Sequence, residues 1–381
     1  MILSVMAQNM EQVALAWLVL TLTNSALNIG LTALSNALPV IALNLLGGVL
    51  ADRVNRQRLL VWVQGIAAAL YLGLAFLIMA GAIQFWQVIV FAVAMGAARA
   101  FDGPTRMAML PQMVAREDIA SGVALINIVW QLPRMVGPAL AGVLIAVVDV
   151  GPSFLISGLG AVGALFLFGS LRLAVPVVTS TGNFLQNIVE GLSYIRQSPI
   201  VGTLILMTFF NSVFGMSYVL MEAVFARDIL HVGSEGFGFM ETIGGLGALV
   251  GVFAAAHFAQ RNRKGTQLIV GATSFGLFLV GFAASPWYPL SLLLLFGCGL
   301  FSQMYMTTIN TTLQLTVPNE VRGRVLGLYG LTYSLIPLGG TIAGAITEWA
   351  GAPAAVSFGG LMVAGMTLAV ALLVPRVRNL A

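Results

Sequence analysis

The sequence predicts an all-α polytopic membrane protein, with twelve transmembrane helices in two pseudo-symmetric halves of six. The first observation behind this fold class is the composition: 59% of the 381 residues are hydrophobic, 8% are charged, and the mean hydropathy is +0.99. A soluble globular domain has about 25% charged residues, so most of this chain is expected to lie in lipid. The other two observations are the spacing of the apolar segments and the distribution of the basic residues.

Twelve long apolar segments divide the chain. At about 1.5 Å per helical residue, each is long enough to cross a hydrocarbon core about 30 Å thick. The first segment has no basic lead and contains polar residues in its middle, so it is interpreted as a membrane helix and not as a signal peptide. The segments are residues 2 to 22, 27 to 50, 59 to 80, 84 to 101, 119 to 147, 151 to 171, 200 to 225, 236 to 259, 266 to 284, 288 to 312, 322 to 346 and 352 to 374.

The basic residues concentrate in alternate connections between these segments. The even-numbered connections, the membrane ends beside them and the C-terminal tail hold 15 of the 17 Lys and Arg residues. The odd-numbered connections hold only Arg227, and Arg134 lies inside the fifth segment. Because cytoplasmic connections carry the basic excess in membrane proteins, the even-numbered connections and both termini are predicted to be cytoplasmic.

Residues 173 to 199 are the longest stretch without a complete span and are predicted to be a cytoplasmic linker with an amphipathic helix. The linker separates an N-terminal half, residues 1 to 172, from a C-terminal half, residues 200 to 381. The halves resemble each other at a constant offset of 202 residues, which fits parallel repeats. The matching pairs are Gln112 with Gln314, Asp118 with Glu320, Val123 with Val325, Gly137 with Gly339, Ala141 with Ala343, and Gly142 with Gly344.

A short charged segment, residues 47 to 58, lies between the second and third apolar segments. Its order of glycine, acid and interspersed arginines resembles motif A, the signature of the major facilitator superfamily of secondary transporters. Asn55 stands where a second glycine is usual; asparagine tolerates a left-handed backbone, so a turn is expected there. The matching residues are Gly48, Asp52, Arg53, Arg56 and Arg58.

The resemblance implies that this segment is a conformational latch. In the family, the acid of the motif faces the end of a helix from the other half, and its arginine faces an acid near the end of the fourth helix. Here Asp52 and Arg56, with Asp102 as partner, would hold the halves together in the outward-open state. Because Gln260 occupies the equivalent site in the second half, the latch is expected to be asymmetric.

The fifth segment contains Gly137, Pro138 and Gly142, a partial match to motif C of antiporters in the superfamily. Pro133 and Ala124 stand where the earlier glycines of that motif are usual. Small residues at this spacing allow helices to approach closely, and a proline bends a helix. Plain helix packing and an antiport-specific role are both consistent with the pattern.

Glu11 is the candidate proton site in the first segment. A charge inside a span costs about 2.5 to 3.5 kcal/mol on insertion scales, so embedded charges are candidates for function. Glu11 lies near the centre of the segment, on one face with Ser4, Gln8 and Gln12. Apolar surroundings disfavour its anion, and Glu11 is interpreted as a proton carrier; a cation-binding site and structural pairing are the alternatives.

Arg134 is the second embedded charge. It aligns with Asn127 and Gln131 on one face of the fifth segment and keeps its charge at all accessible pH values. This stripe suits an anionic group of a substrate or a pairing with Glu11. Pairing with Glu11 is favoured, because an unpaired arginine in the membrane would be the more costly arrangement.

Two further polar stripes lie in the seventh and tenth segments. In the superfamily, helices one, four, seven and ten line a central cavity, so the resemblance implies that these stripes meet the substrate; hydrogen bonding between helices is the alternative. Glu222 and Glu241 lie near the outer ends of the seventh and eighth segments, where they would attract cationic compounds or be solvated end charges. The stripes are Thr208, Asn211, Gly215, Tyr218 and Glu222, and Gln303, Thr307, Asn310, Thr311 and Gln314.

Several function classes lack their sequence signals. There is no HExxH zinc pair and no GxxxxGK[ST] phosphate loop, so the chain is not predicted to be an enzyme, and no metal or cofactor is expected. The basic residues form no continuous face for nucleic acid. Cys298 is the only cysteine, so no internal disulfide is expected. The predicted partners are a small-molecule substrate, protons and the lipid bilayer, and the chain is expected to be a monomer.

Residues 99 to 142 and 320 to 344 are similar to a bacterial exporter group of the superfamily, which includes drug and macrolide exporters and siderophore exporters of the enterobactin type. The resemblance implies a secondary active transporter of the cell inner membrane, with proton-coupled efflux of small hydrophobic or amphipathic compounds by alternating access. The alternatives are a proton- or ion-coupled importer of a small metabolite and a non-transporting membrane sensor of the same fold.

Overall fold

The structure is a computed structural model that describes residues 2–53, 55–113, 119–170, 184–259, 264–378 and 380, and within these ranges it is helical with no strand. The first half comprises α1 (Ile2–Thr23), α2 (Ala26–Arg53), α3 (Arg56–Met79), α4 (Phe85–Met113), α5 (Ile119–Val147) and α6 (Val150–Ser170). The helices that follow are α7 (Phe184–Gln197), α8 (Pro199–Phe210), α9 (Tyr218–Val224), α10 (Gly233–Ala259), α11 (Lys264–Ala284), α12 (Tyr288–Thr316), α13 (Asn319–Tyr333), α14 (Ile336–Ala350), α15 (Ala352–Leu373) and α16 (Pro375–Arg378).

The helices reproduce the predicted spans. Within the described ranges, 11 helical segments are long and apolar enough to cross a membrane, and α5 supplies the twelfth span. The seventh span is continuous from Pro199 to Ile229 but contains two π-helical segments, π1 (Asn211–Gly215) and π2 (Phe225–Ile229). The predicted all-α fold with twelve membrane helices in two halves is confirmed.

The chain forms two compact units. Unit 1 comprises Met1–Asn24, Thr32–Thr181 and Gly233–Phe239, and unit 2 comprises Ser25–Leu31, Gly182–Val232 and Met240–Ala381. Each unit therefore contains most of one half of the sequence and a short segment from the other. In unit 1, α1 packs against α5 and α6, and α3 packs against α4 and α6. In unit 2, α11 packs against α12 and α15.

Glycines let the backbones of α5 and its neighbours approach closely in unit 1. A methyl group built on Gly137 would lie 2.8 Å from Cβ of Asn9 on α1. One built on Gly142 would lie 2.5 Å from the carbonyl oxygen of Ser234 and 3.0 Å from Cα of Gly238. Such distances leave no space for a side chain. The small residues of the fifth helix therefore have the packing role that was one of the two interpretations of this motif.

The repeat-related glycines of unit 2 make equivalent contacts. Gly339 on α14 abuts the backbone of Val213 in π1, and a methyl group on Gly344 would lie 2.6 Å from the carbonyl oxygen of Ala26. The sequence offset of 202 residues thus relates two positions with the same structural requirement in both units, which is direct support for an internal repeat.

The charged segment between α2 and α3 is more helical than expected. α2 continues to Arg53 and α3 begins at Arg56, so only two residues separate the helices. Asn55 has φ −62° and ψ 110°, and its side-chain oxygen accepts a hydrogen bond from the backbone N–H of Arg58. The expected left-handed turn at Asn55 is therefore wrong, because the residue serves as the N-cap of α3, a position that favours asparagine.

The helix α7 lies in the second part of the predicted linker, whose residues 173 to 183 are outside the described ranges. It packs against α13, where Glu190 forms an ion pair with Arg324. A methyl group on Gly191 would lie 2.8 Å from Cδ1 of Leu328. The linker helix is thus fastened to unit 2 by protein contacts.

Candidate functional site

Glu11 lies in a buried charge cluster inside unit 1. Its side chain is 2% exposed, and its Oε2 accepts hydrogen bonds from Nη2 of Arg99 on α4 and from the hydroxyl of Tyr71 on α3. Arg99 is less buried, with 28% of its side chain exposed. Glu11, Arg99 and Tyr71, called the acid cluster below, therefore connect α1, α3 and α4 through one carboxylate.

Aromatic packing orients Tyr71 within the acid cluster. Its ring lies 5.9 Å from the ring of Phe91 on α4, and Phe91 packs edge-on against Phe154 on α6 at 6.0 Å. These contacts bury the apolar part of the tyrosine, while its hydroxyl needs a polar partner, which Glu11 supplies. The arrangement directs the hydroxyl toward the carboxylate of Glu11.

A second ion pair lies about one turn further along α4. Nε of Arg106 donates to Oδ2 of Asp102 at 2.7 Å, and both side chains are buried. Oδ1 of Asp102 accepts from Nε2 of Gln64 on α3 at 3.2 Å, and Nη2 of Arg106 donates to Oγ of Ser4 on α1 at 3.0 Å. The second pair thus joins the same three helices as the acid cluster.

We expect Asp102→Asn to lower the stability of the purified protein by about 1 to 3 kcal/mol, because the buried Arg106 guanidinium would lose its counter-charge while keeping a hydrogen-bond acceptor. Thermal unfolding in detergent measures the change. Asp149→Asn is the matched control, since Asp149 is exposed and its oxygen accepts only a backbone N–H at the start of α6. Equal melting temperatures for the two variants would contradict the expectation.

A small cavity is lined by one member of each ion pair, Arg99 and Asp102. Its volume is about 20 Å³, and its polar lining comprises Ser4, Gln8, Gln64, Tyr71, Arg99 and Asp102. A cavity needs at least about 10 to 15 Å³ and polar partners to hold a water molecule. One water fits here, next to Nε of Arg99, which has no hydrogen-bond partner among the described residues. A single hydrated site would then connect the acid cluster with Asp102.

The partner expected for Glu11 is wrong. Arg134, favoured from the sequence, is exposed, and among the described residues the ion pair of Glu11 is with Arg99. The reason is that α1 approaches α4 at this depth, and a stripe on α5 carries no information about that approach. The sequence contains a signal for the third helix of this site. Gln64 and Tyr71 are seven residues apart, which places two polar side chains on one face of the third span.

The other polar residues of the first and fifth spans occupy different surroundings. Gln8 is half-buried and lines the cavity, whereas Gln12 is exposed. The side chains of Asn127 and Gln131 are outside the described part of the structure. The roles of these residues in substrate binding therefore stay predictions.

The polar stripe of the seventh span is buried inside unit 2. The Tyr218 ring packs edge-on against Phe275 of α11 at 6.1 Å, and a methyl group on Gly215 would lie 3.1 Å from Cγ2 of Val363 on α15. Tyr218 therefore packs against α11, and its expected contact with the substrate stays a prediction.

The structure also shows how far Asn211, Glu222 and Glu241 are buried. Asn211 is fully buried, and neither its side-chain nitrogen nor its oxygen has a partner within the described ranges. Glu222 is buried, so it is not the solvated end charge that was one expectation, whereas Glu241 on α10 is half-buried.

On α12, Gln303 and Asn310 are half-buried and bond to Thr307 and Gln314 of the same helix.

The proposed latch lies mostly outside the described side chains. Gly48, Asp52, Arg53 and Arg56 belong to α2 and α3, but their surroundings are not described; Arg58 is exposed. Asp102, the expected partner, is buried in the second ion pair. The latch therefore stays a prediction.

The all-helical membrane fold, together with the family match given below, identifies a transporter of the major facilitator superfamily, and not an enzyme. Solved structures with this fold include a bacterial homolog of the human lysosomal transporter Spinster, with TM-score 0.73 and 15% identity over 99% of this chain and 93% of that one. The nucleoside transporter NupG matches with TM-score 0.75 and 13% identity, covering 99% of this chain and 96% of that one. Within the superfamily, residues 1–380 match the model described as "Transmembrane secretion effector", and the chain belongs to this family.

Curated relatives of this chain are exporters and siderophore transporters. The multidrug efflux pump Tap of Mycolicibacterium fortuitum is 29% identical over 390 aligned positions, which cover 97% of this chain and 92% of Tap. The staphyloferrin A transporter of Staphylococcus aureus is 25% identical, covering 86% and 83%. The enterobactin exporter EntS of Citrobacter koseri is 23% identical, covering 81% and 71%.

Proposed function

We propose that this transporter exports small hydrophobic or amphipathic compounds in exchange for protons by alternating access. The observation that carries the proposal is the acid cluster: one buried carboxylate, able to take a proton, holds an arginine that can reach water. The names of three relatives, which include an efflux pump and an exporter, support the outward direction. The excess of basic residues in the even-numbered connections supports cytoplasmic termini.

Protonation of Glu11 would change the position of Arg99. The carboxylate balances the charge of the guanidinium, which cannot lose its own proton. When Glu11 takes a proton, Arg99 loses its counter-charge, and its partly exposed side chain gains more by turning to water or to a substrate. Two positions of Arg99, selected by one proton, supply the two-state element that coupled transport requires.

The second ion pair offers a route by which the proton leaves Glu11. A water in the 20 Å³ cavity would contact the guanidinium of Arg99 on one side and the Gln64–Asp102 pair on the other. Asp102 lies nearer the end of α4 that is predicted to be cytoplasmic. The proton is therefore expected to leave Glu11 toward the cytoplasm past Asp102.

Transport by the purified protein in liposomes tests the proposal, with ethidium as an amphipathic probe and an imposed pH gradient. Wild-type protein should accumulate ethidium against its gradient, and a protonophore should abolish accumulation. Glu11→Gln, whose amide oxygen still accepts from Arg99 and Tyr71, should lose at least about tenfold in uphill uptake and keep ethidium exchange.

Glu235→Gln is the control variant, because Glu235 is an exposed carboxylate at the start of α10. It should transport like the wild type. Undiminished uphill uptake in Glu11→Gln would remove Glu11 from the mechanism. Failure of the wild type to move ethidium or a wider set of amphipathic compounds would contradict the proposed substrate class.

A further inference from the structure

Tyr329 and Tyr333 form a pair of hydroxyl groups in unit 2 that the mechanism above does not use. They lie one turn apart on α13, with their rings edge-on at 5.3 Å. The Tyr329 hydroxyl donates to the backbone carbonyl of Met306 on α12 at 3.3 Å, and it also shares a hydrogen bond with the Tyr333 hydroxyl. The pair therefore joins α13 to the part of α12 around Met306.

The direction of the hydrogen bond between the two hydroxyls follows from their protons. A phenolic hydroxyl has one proton to donate and accepts through its oxygen. Because Tyr329 uses its proton on the Met306 carbonyl, Tyr333 is the donor in the bond between the tyrosines. The Tyr333 oxygen has no other partner among the residues that the structure describes, so Tyr333 is left as an acceptor for a further group.

The neighbouring face of α12 is polar and reaches water. Gln303, Thr307 and Asn310 are half-buried, and Gln314 is exposed. Gln303 donates to Thr307 and Gln314 donates to Asn310, which leaves the carbonyl oxygens of the two glutamines as acceptors. Accessible amide groups inside a membrane span are expected to face water or a ligand, because lipid offers them no hydrogen bonds.

The eleventh span is interrupted next to the tyrosine pair. Tyr333 is the last residue of α13, and the span continues as α14 after Ser334 and Leu335. The backbone N–H groups of Ser334 and Leu335 bond to carbonyls three residues earlier, as in a turn. Irregular backbone at membrane depth occurs where it is buried in protein or lines a water-filled space. Since Tyr333 is only half-buried, a ligand in water can reach its hydroxyl at this break.

We propose that Tyr333 and the polar face of α12 bind an amphipathic substrate that carries a protonated amine. The ammonium group donates to the Tyr333 oxygen, and the tyrosine rings favour a cation by their electron-rich faces. No charged residue occurs in residues 303 to 316 or 325 to 338, so no basic side chain of these segments repels the ammonium group. Tyr329 is a positioning residue, because it occupies the proton of Tyr333. The site rests on the proposed function, since it names the class of compound that is moved.

Binding to the purified protein in detergent, without any gradient, tests the site separately from transport. The probe is dansylcadaverine, whose alkyl chain ends in a protonated amine, and its neutral N-acetyl derivative is the comparison. By fluorescence polarisation, the wild type should bind dansylcadaverine at least about tenfold more tightly than the derivative. Tyr333→Phe should remove most of this preference. The matched control is Tyr194→Phe, at a half-buried tyrosine on α7 of the same unit, and it should bind like the wild type.

Tyr329→Phe tests the direction of the hydrogen bond. Without the Tyr329 oxygen, the proton of Tyr333 becomes free to donate to the carbonyl of the acetyl group, so the neutral derivative should bind more tightly than it does to the wild type. Equal weakening of both compounds would overturn the positioning role of Tyr329. Equal affinities of the two compounds for the wild type, or an unchanged preference in Tyr333→Phe, would overturn the site. Preferential binding of dansylcadaverine without any transport would support the site and contradict the proposed function.

Discussion

Glu11→Met should destabilise the purified protein by about 3 to 5 kcal/mol, whereas Arg99→Met should cost less. The two costs differ because only one of the two residues can become neutral when its partner is removed. Arg99 without Glu11 keeps its charge, since a guanidinium does not lose its proton, and it must turn toward water at the expense of its packing. Glu11 without Arg99 can take a proton, become neutral and keep its hydrogen bond to Tyr71.

The double variant Glu11→Met/Arg99→Met should recover most of the lost stability, because an apolar pair replaces an ion pair without leaving a charge behind. Unfolding by heat or by denaturing detergent measures the stability of the wild type, the two single variants and the double variant. The control is the pair of Arg227 with Asp228, whose side chains are 27% and 42% exposed; its removal should change stability by less than about 1 kcal/mol. Additive costs in the double variant would show that Glu11 and Arg99 do not act as a pair.

The same cycle separates stability from transport. The double variant is expected to fold well and yet to show no proton-driven uptake. The carboxyl group that takes the proton and the arginine that changes position are both absent from it. A stable double variant that still transports uphill would place the coupling elsewhere in the molecule.

Gly142→Ala should also have a large effect, a loss of about 1 to 3 kcal/mol in stability. The added methyl group would lie 2.5 Å from the carbonyl oxygen of Ser234 and 3.0 Å from Cα of Gly238, and both obstacles are backbone atoms that cannot rotate away. The helices must separate, which costs packing along the whole contact. Gly344→Ala, its repeat partner, should behave alike because its methyl group would meet the backbone of Ala26 and Leu27.

Two other glycines are controls at which replacement by alanine should raise the stability instead of lowering it. Nothing lies within 4 Å of a methyl group built on Gly73 in α3 or on Gly365 in α15. Replacement by alanine at such helical positions should stabilise the protein by up to about 1 kcal/mol, because glycine loses more backbone entropy on folding. If Gly142→Ala melted at the same temperature as Gly73→Ala, the close packing of α5 would contribute nothing measurable to the stability of the protein.

The sequence predicts the spans well because hydropathy is a local property. Each apolar segment found by length coincides with a helical span of the structure, although the seventh span includes π-helical turns and the eleventh consists of α13 and α14. The offset of 202 residues relates glycines with equivalent contacts. Glu11 was also found from the sequence, since a carboxyl group in the middle of an apolar segment is visible without knowledge of its neighbours.

The partner of Glu11 is not a local property. Arg99 is 88 residues away from Glu11 and lies beyond the central part of its span, where the basic residue count alone assigns it to the membrane surface. Only the approach of α1 to α4 shows that its guanidinium reaches inward. The fifth-span stripe with Arg134 has the correct helical spacing, but spacing describes a face of one helix and does not identify which helix it meets.

The irregular geometry of the seventh span is also not visible in the sequence. The span contains π-helical turns at Asn211–Gly215 and Phe225–Ile229, and no residue type marks a π turn. Thr208, Asn211 and Glu222, which the sequence places on one polar stripe, are nevertheless all buried in the structure.

Cys298 has a practical consequence for spectroscopy. It is the only cysteine of the chain, and its side chain is fully buried on α12. Thiol-reactive probes should leave it untouched in the folded protein, so the natural sequence already serves as a background for site-specific labelling. Cysteines introduced at Trp349 and Leu373, which are 88% and 80% exposed, would accept spin labels or fluorophores without any change to the native thiol.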